Sequence, residues 1–126
     1  MRIMAVIIIL FVALLGFGTF NYYYFDHTAG KLLQAAETAE KKAEAGEWDQ
    51  AEEQLHRLRS SWEKANGKWT ILIDHEELDK INITMSRAMK YMETRDVSGL
   101  MAELAELKLL LRHIPEKEAL NLKNVL

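Results

Sequence analysis

The chain opens on an unbroken apolar run and then changes to a helical rhythm. Residues 3–20 read IMAVIIILFVALLGFGTF, with no charge, and NYYYF extends the run to Phe25 before Asp26. Beyond Asp26 apolar residues recur at intervals of three and four, and no stretch alternates as a half-buried strand does. Leu32, Ala36, Ala39 and Ala43 share one face of a helix expected over 28–45, with Gly46 as its stop. So much alanine on the buried face predicts close approach to a neighbouring helix. A second helix is expected from Trp48 or Asp49, with Ala51, Leu55, Leu58, Trp62 and Ala65 on its stripe, ending at Asn66-Gly67. A third, the longest, is expected over 68–94 with Ile71, His75, Leu78, Ile81, Met85, Ala88 and Met92 in line and Trp69, Ile73 and Ile83 widening the stripe. A fourth runs from Val97 to about His113 through Leu100, Leu104, Leu107, Leu111 and Ile114, and Pro115 opens a short last turn.

These seams repeat. A shift of 49 positions carries Trp48, Ala51, Leu55, Leu58 and Trp62 onto Val97, Leu100, Leu104, Leu107 and Leu111. The same shift carries Leu32, Ala36, Ala39 and Ala43 onto Ile81, Met85, Ala88 and Met92. The expected fold is all-α: an N-terminal transmembrane helix (1–25) followed by a four-helix domain (26–126) of two αα-hairpins. Gly46-Glu47-Trp48-Asp49-Gln50-Ala51 is similar to the inter-helix corner of tetratricopeptide-type repeats, so packing of that kind is expected, although the spacing departs from the roughly 34-residue period of that class.

As a helix, residues 3–25 would be roughly 34 Å long, enough to cross a hydrocarbon core of about 30 Å. Tyr22, Tyr23, Tyr24 and Phe25 suit the aromatic belt at its far interface. A cleaved signal peptide is the competing reading, because Gly16 and Gly18 offer a small-x-small cleavage pattern. The length of the run, its aromatic end and the minimal basic region at Arg2 favour a retained anchor. Arg2 and the amino terminus lie closest to the membrane, while Lys31, Lys41 and Lys42 weaken the charge asymmetry. The expectation is an amino terminus in the cytoplasm and an extracytoplasmic helical domain.

Charge narrows the partners. Asp26 onward holds all 19 acids and 15 of the 16 bases, a net −4, which disfavours nucleic acid. No basic block is long enough to bind anionic lipid by charge, because lysine and glutamate are interspersed along every segment. The expected partners are the bilayer, through residues 3–25, and an integral membrane protein. With no cysteine the chain has no disulfide, lipoprotein anchor or thiolate metal site.

Candidate chemistry is sparse. His75 and Asp79 stand at i and i+4 and could touch one cation, with Glu76 beside them, but zinc sites need three or four ligands. His75 reads better as a buried or half-buried histidine within the apolar stripe. Trp48 and Trp62 read as core anchors, whereas Trp69, just past the Asn66-Gly67 turn, reads as an exposed contact. Met85, Met89, Met92 and Met101 read as core. There is no nucleophile elbow, phosphate-cradling glycine loop or HExxH pair, so no enzymatic activity, catalytic residue or cofactor is expected. Trp69, His75, Glu76 and Asp79 are the candidate ligand or partner contacts.

The anchor, Trp69 with Asp74-His75-Glu76-Glu77-Leu78, the run from Leu107 to Leu111, His113-Ile114 and the terminal Asn124-Val125-Leu126 together resemble a bacterial family of small single-pass membrane proteins of unknown function, found mainly in spore-forming Gram-positive lineages. Val125 stands where isoleucine would be expected. The resemblance implies an anchored helical domain encoded beside a multi-pass membrane protein, and it supplies no activity. The resulting expectation is a non-enzymatic, membrane-anchored interaction module that serves as accessory or regulator to an integral membrane protein. The alternative is an extracytoplasmic sensor or a ligand- or metal-binding module built on His75, Glu76 and Trp69.

Overall fold

The computed structural model describes residues 1–71 and 73–125, and the side chains of 1–71 and 73–116. The side chains of Asn124, Val125 and Leu126, which carry part of the family resemblance, lie outside the described residues. The fold is all-α: α1 (Arg2–Glu44), α2 (Trp48–Trp69), α3 (His75–Thr94) and α4 (Val97–Val125).

The expected anchor and first domain helix are one helix of 43 residues. Asp26 marks where the chain becomes polar, but nothing from Phe20 to Thr28 interrupts helical hydrogen bonding, since the segment holds neither proline nor glycine. α1 therefore passes through the expected boundary at 25/26 and carries Phe25 into the core, where it is 0% exposed.

α2 continues through Asn66 and Gly67, where a stop was expected, to Trp69. An interior glycine costs a helix about 1 kcal/mol, and burial of the Trp69 ring, 0% exposed, outweighs it. The third helix is correspondingly the shortest rather than the longest, with 20 residues. Its expected first turns are spent on reversing the chain: the Ile73 amide donates to the Trp69 carbonyl at 2.8 Å, and the Thr70 hydroxyl donates to the Asn66 carbonyl at 2.6 Å. Asp74, with ψ 135°, then starts α3. Ile71, expected on the stripe, sits in this reversal and is 82% exposed. Ile83 is exposed as well, because the buried face of α3 runs through Leu78, Ile81, Met85, Ala88 and Met92. Pro115 opens no separate turn; it lies inside α4, which runs on to Val125.

The repeat is present in the hydrogen bonds of the two corners. After α1 the Gly46 amide donates to Ala43 at 3.1 Å, Glu47 to Lys42 at 2.9 Å and Ala51 to Glu47 at 2.9 Å. After α3 the equivalent amides of Arg95, Asp96 and Leu100 donate to Met92, Tyr91 and Asp96 at 3.1, 3.0 and 3.0 Å. Both corners turn on a left-handed residue, Gly46 at φ 77° and Arg95 at φ 54°. The second corner adds two features of its own. The Asp96 carboxylate accepts from the Gly99 amide at 3.0 Å, capping α4. Gly99 itself leaves room for Tyr91, whose ring would lie 2.4 Å from an added Cβ.

Packing follows side-chain size. α1 lies closely against both α2 and α4, and α3 packs on α4, whereas α2 and α3 approach each other little. Alanines 29, 36, 39 and 43 allow α1 two close neighbours, while their equivalents Leu78, Met85, Ala88 and Met92 fill a wider gap on α3. The hairpins thus join through α1 and α4. The Lys108 ammonium and the Glu40 carboxylate, both mostly buried, pair at 2.6 Å across that joint. Across the wider gap the Trp62 indole N–H donates to Asn82 Oδ1 at 2.7 Å.

The corner geometry gives a reciprocal test. A non-glycine residue at left-handed φ costs roughly 1 kcal/mol, so Gly46→Ala should lower and Arg95→Gly should raise unfolding stability by about that amount. Denaturant titration reads both, and equal signs for the two substitutions would refute equivalence of the corners.

Candidate functional site

Because α1 and α3 run away from the apolar arm and α2 and α4 run back, one end of the bundle lies beside the arm and the two Gly46 and Arg95 corners lie together at the other. Between the corners is an open groove of about 260 Å³ lined by Gly46, Glu47, Trp48, Asp49, Gln50 and Arg95. The arm-side end carries the aromatic contacts between arm and domain and two further grooves.

The arm is bare. Large apolar side chains from Ile3 through Phe20 are exposed, and none of the most apolar window of α1 is buried against the rest of the chain. α1 is long and apolar enough to cross a membrane, a test that a signal sequence near an N-terminus also passes.

The arm is tied to the domain by a series of edge-to-face aromatic contacts. Tyr24 meets Phe25 at 5.5 Å between ring centroids, Phe25 meets Trp69 at 5.3 Å, and Trp69 meets Trp62 at 5.3 Å. Each such pair adds about 0.5–1.5 kcal/mol beyond the area it buries. Trp69 is therefore a fully buried link in the core, not the exposed contact expected of it. Its signal in the sequence was the Trp62–Trp69 spacing of seven, two helical turns, which continues the stripe of α2 once Gly67 is accepted as helical.

The remaining candidate residues lie on the surface. His75 is the first residue of α3 and is exposed, not held in the apolar stripe, because the helix starts there and its buried face begins at Leu78. Glu76 and Asp79 are exposed too, so the structure does not gather Trp69 with these three around one pocket. Among the described residues no group of three or more His, Cys, Asp or Glu is placed to hold a metal ion. Glu77, next in the acidic run, approaches His113 of α4 at 3.6 Å, and Glu76 and Glu77 favour the first turn of α3 through the helix dipole.

Two open grooves flank α1 at this end. One, about 260 Å³, lies between α1 and α4 and is lined by Tyr22, Asp26, Leu33, Arg112 and Glu116 among others, a mixture of both charge signs. The other, about 240 Å³, lies between α1 and α2 and is lined by Tyr24, His27, Thr28, Lys31, Ser61, Lys64, Ala65 and Lys68, with no acid. Lys68 stands 6.0 Å from the centre of the Tyr24 ring. Three lysines dispersed in sequence meet here because α1 and α2 fold back about Gly46: Tyr24 comes opposite Lys68, Thr28 opposite Lys64 and Lys31 opposite Ser61. A search for contiguous basic blocks misses them; pairing positions equidistant from the corner would have found them.

The family model described as a domain of unknown function (DUF4363) matches residues 19–125. No curated protein and no solved structure matches the chain.

The aromatic series makes Phe25 the point where arm and domain meet. Phe25→Ala should cost about 3–5 kcal/mol of domain stability, read by denaturant unfolding of the full chain in detergent. A loss well under 1 kcal/mol would show that the arm is not anchored in the core.

Proposed function

The chain belongs to the DUF4363 family, a domain of unknown function, and we propose that it is a single-pass bacterial membrane protein whose helical domain binds an integral membrane partner and catalyses no reaction. The observation that carries this reading is the division of α1, without a break, into a bare apolar half and a half whose one face is buried in the domain. In water the bare half would expose a continuous apolar surface on all sides, far beyond the few hundred Å² that a soluble monomer presents. In a bilayer the same surface is satisfied, and the tyrosines fall at the boundary between lipid and water.

The domain then stands directly on the membrane, with no flexible linker. A partner embedded in the same bilayer lies within reach of both the arm and the arm-side grooves. The resemblance to membrane-anchored proteins of spore-forming Gram-positive bacteria favours this setting, and Arg2 next to the apolar run favours an amino terminus inside and an extracytoplasmic domain. Binding is favoured over catalysis by the shape of the surface: the described grooves are open to solvent, which suits contact with a large partner or a lipid surface better than enclosure of a soluble substrate.

One preparation tests orientation and partnership together. Ser60 is exposed, and the native chain has no cysteine, so Ser60→Cys creates a unique thiol. That thiol should react with a membrane-impermeant maleimide on intact cells, and the labelled protein, extracted in mild detergent, should elute with an integral membrane protein. Labelling only after lysis would reverse the orientation. Elution alone from every membrane extract would remove the partner.

A further inference from the structure

We propose that the groove between α1 and α2 is a headgroup site for an anionic phospholipid, formed by Lys31, Lys64 and Lys68 with His27, Thr28 and Ser61. The inference deepens the membrane-anchored reading and rests on it, since it takes the tyrosines of α1 to lie at the lipid boundary.

Three observations converge. First, the groove concentrates positive charge on a domain that is net acidic: three lysines line it and no carboxylate does. None of the three lysines has an ion-pair partner among the described residues. The nearest acids in sequence are turned elsewhere, Asp26 to the groove on the α4 side and Glu63 to Arg59 at 3.3 Å. Second, the groove sits at the level a headgroup occupies. Tyr24 of the aromatic segment forms its membrane-side wall with Lys68 against the ring, and Lys31 lies seven residues further from the bilayer, about 10 Å along the helix. The lysines thus span the depth of a phosphate and its polar substituent, with their stems able to lie along the apolar walls. Third, the lining also supplies the hydroxyls of Thr28 and Ser61, neutral donors of the kind that complete the coordination of a phosphate oxygen.

Charge on this face has a direct consequence for the bilayer. Lysines held near an anionic surface each strengthen attachment, and here the attraction is focused beside the point where α1 leaves the lipid. The ligand class is a phosphate monoanion carried by a lipid, such as phosphatidylglycerol, in the leaflet that faces the domain. Free phosphate shares the chemistry but lacks the acyl chains that hold the headgroup at this depth.

The test uses the full chain reconstituted in nanodiscs of mixed phosphatidylcholine and phosphatidylglycerol, with lipids retained on the released protein counted by native mass spectrometry. The wild type should retain phosphatidylglycerol over phosphatidylcholine by about tenfold or more. The triple variant Lys31→Gln, Lys64→Gln, Lys68→Gln should lose that preference. The triple variant Lys41→Gln, Lys42→Gln, Lys90→Gln, which removes equal charge near the opposite corners, should keep it. Equal retention by the two triple variants, or no preference in the wild type, overturns the headgroup site. Displacement of phosphatidylglycerol by millimolar inorganic phosphate would assign the groove to a free anion instead. Flotation with vesicles of pure phosphatidylcholine separates the two levels of the claim. Wild type that floats but shows no headgroup preference leaves the anchor standing and removes the site, whereas wild type that fails to float removes both.

Discussion

The architecture depends on one helix being thin where it is buried and greasy where it is not. Within the domain α1 presents Ala29, Ala36, Ala39 and Ala43 to its neighbours, and this narrow face lets α2 and α4 both lie close to its backbone. Replace Ala29, Ala36 and Ala43 by the leucine and two methionines that occupy the equivalent places on α3 and the two contacts could not coexist at the same separation. The joint between the hairpins would then have to form elsewhere. Because it forms on α1, the helix that continues into the apolar arm is also the central strut of the bundle, so any force on the arm is delivered to the core through Phe25, Trp69 and Trp62.

Much of this was legible in the sequence because it rests on periodicity. The positions of Leu55, Leu58, Leu100, Leu104, Leu107 and Leu111 in the core follow from spacings of three and four, as does the repeat that superposes the two corners. The stop at Gly46 is legible because only glycine adopts a left-handed conformation without strain. Arg95 fills the same conformation in the second corner, and only the match to the first corner reveals it.

What was not legible turned on competition between a local signal and a distant contact. Asn66-Gly67 is a good local stop, but the stop is overridden by the burial of Trp69 against Phe25, a residue more than forty positions earlier. Asp26 is a good boundary between apolar and polar chain, yet it says nothing about whether the helix ends. His75 stands one turn before Leu78, in phase with the stripe, but α3 starts at His75 and Ile71 lies outside the helix and exposed, so no buried face extends back to it. The lysine groove was invisible for a related reason: charge read along the chain averages to alternation, whereas charge read across an antiparallel pair does not.

The account stands on α1 being a single rigid rod that remains attached to the domain. Spin labels on cysteines introduced at Ala13 in the arm and Glu37 in the domain, both exposed, would lie about 36 Å apart along an unbroken helix. Dipolar electron resonance on the full chain, expressed in its native host and purified into lipid vesicles, should give one narrow distance distribution near that value. A broad distribution would mean a hinge between arm and domain, and loss of the dipolar signal through removal of the first label would mean that the arm is cleaved, either of which contradicts the account.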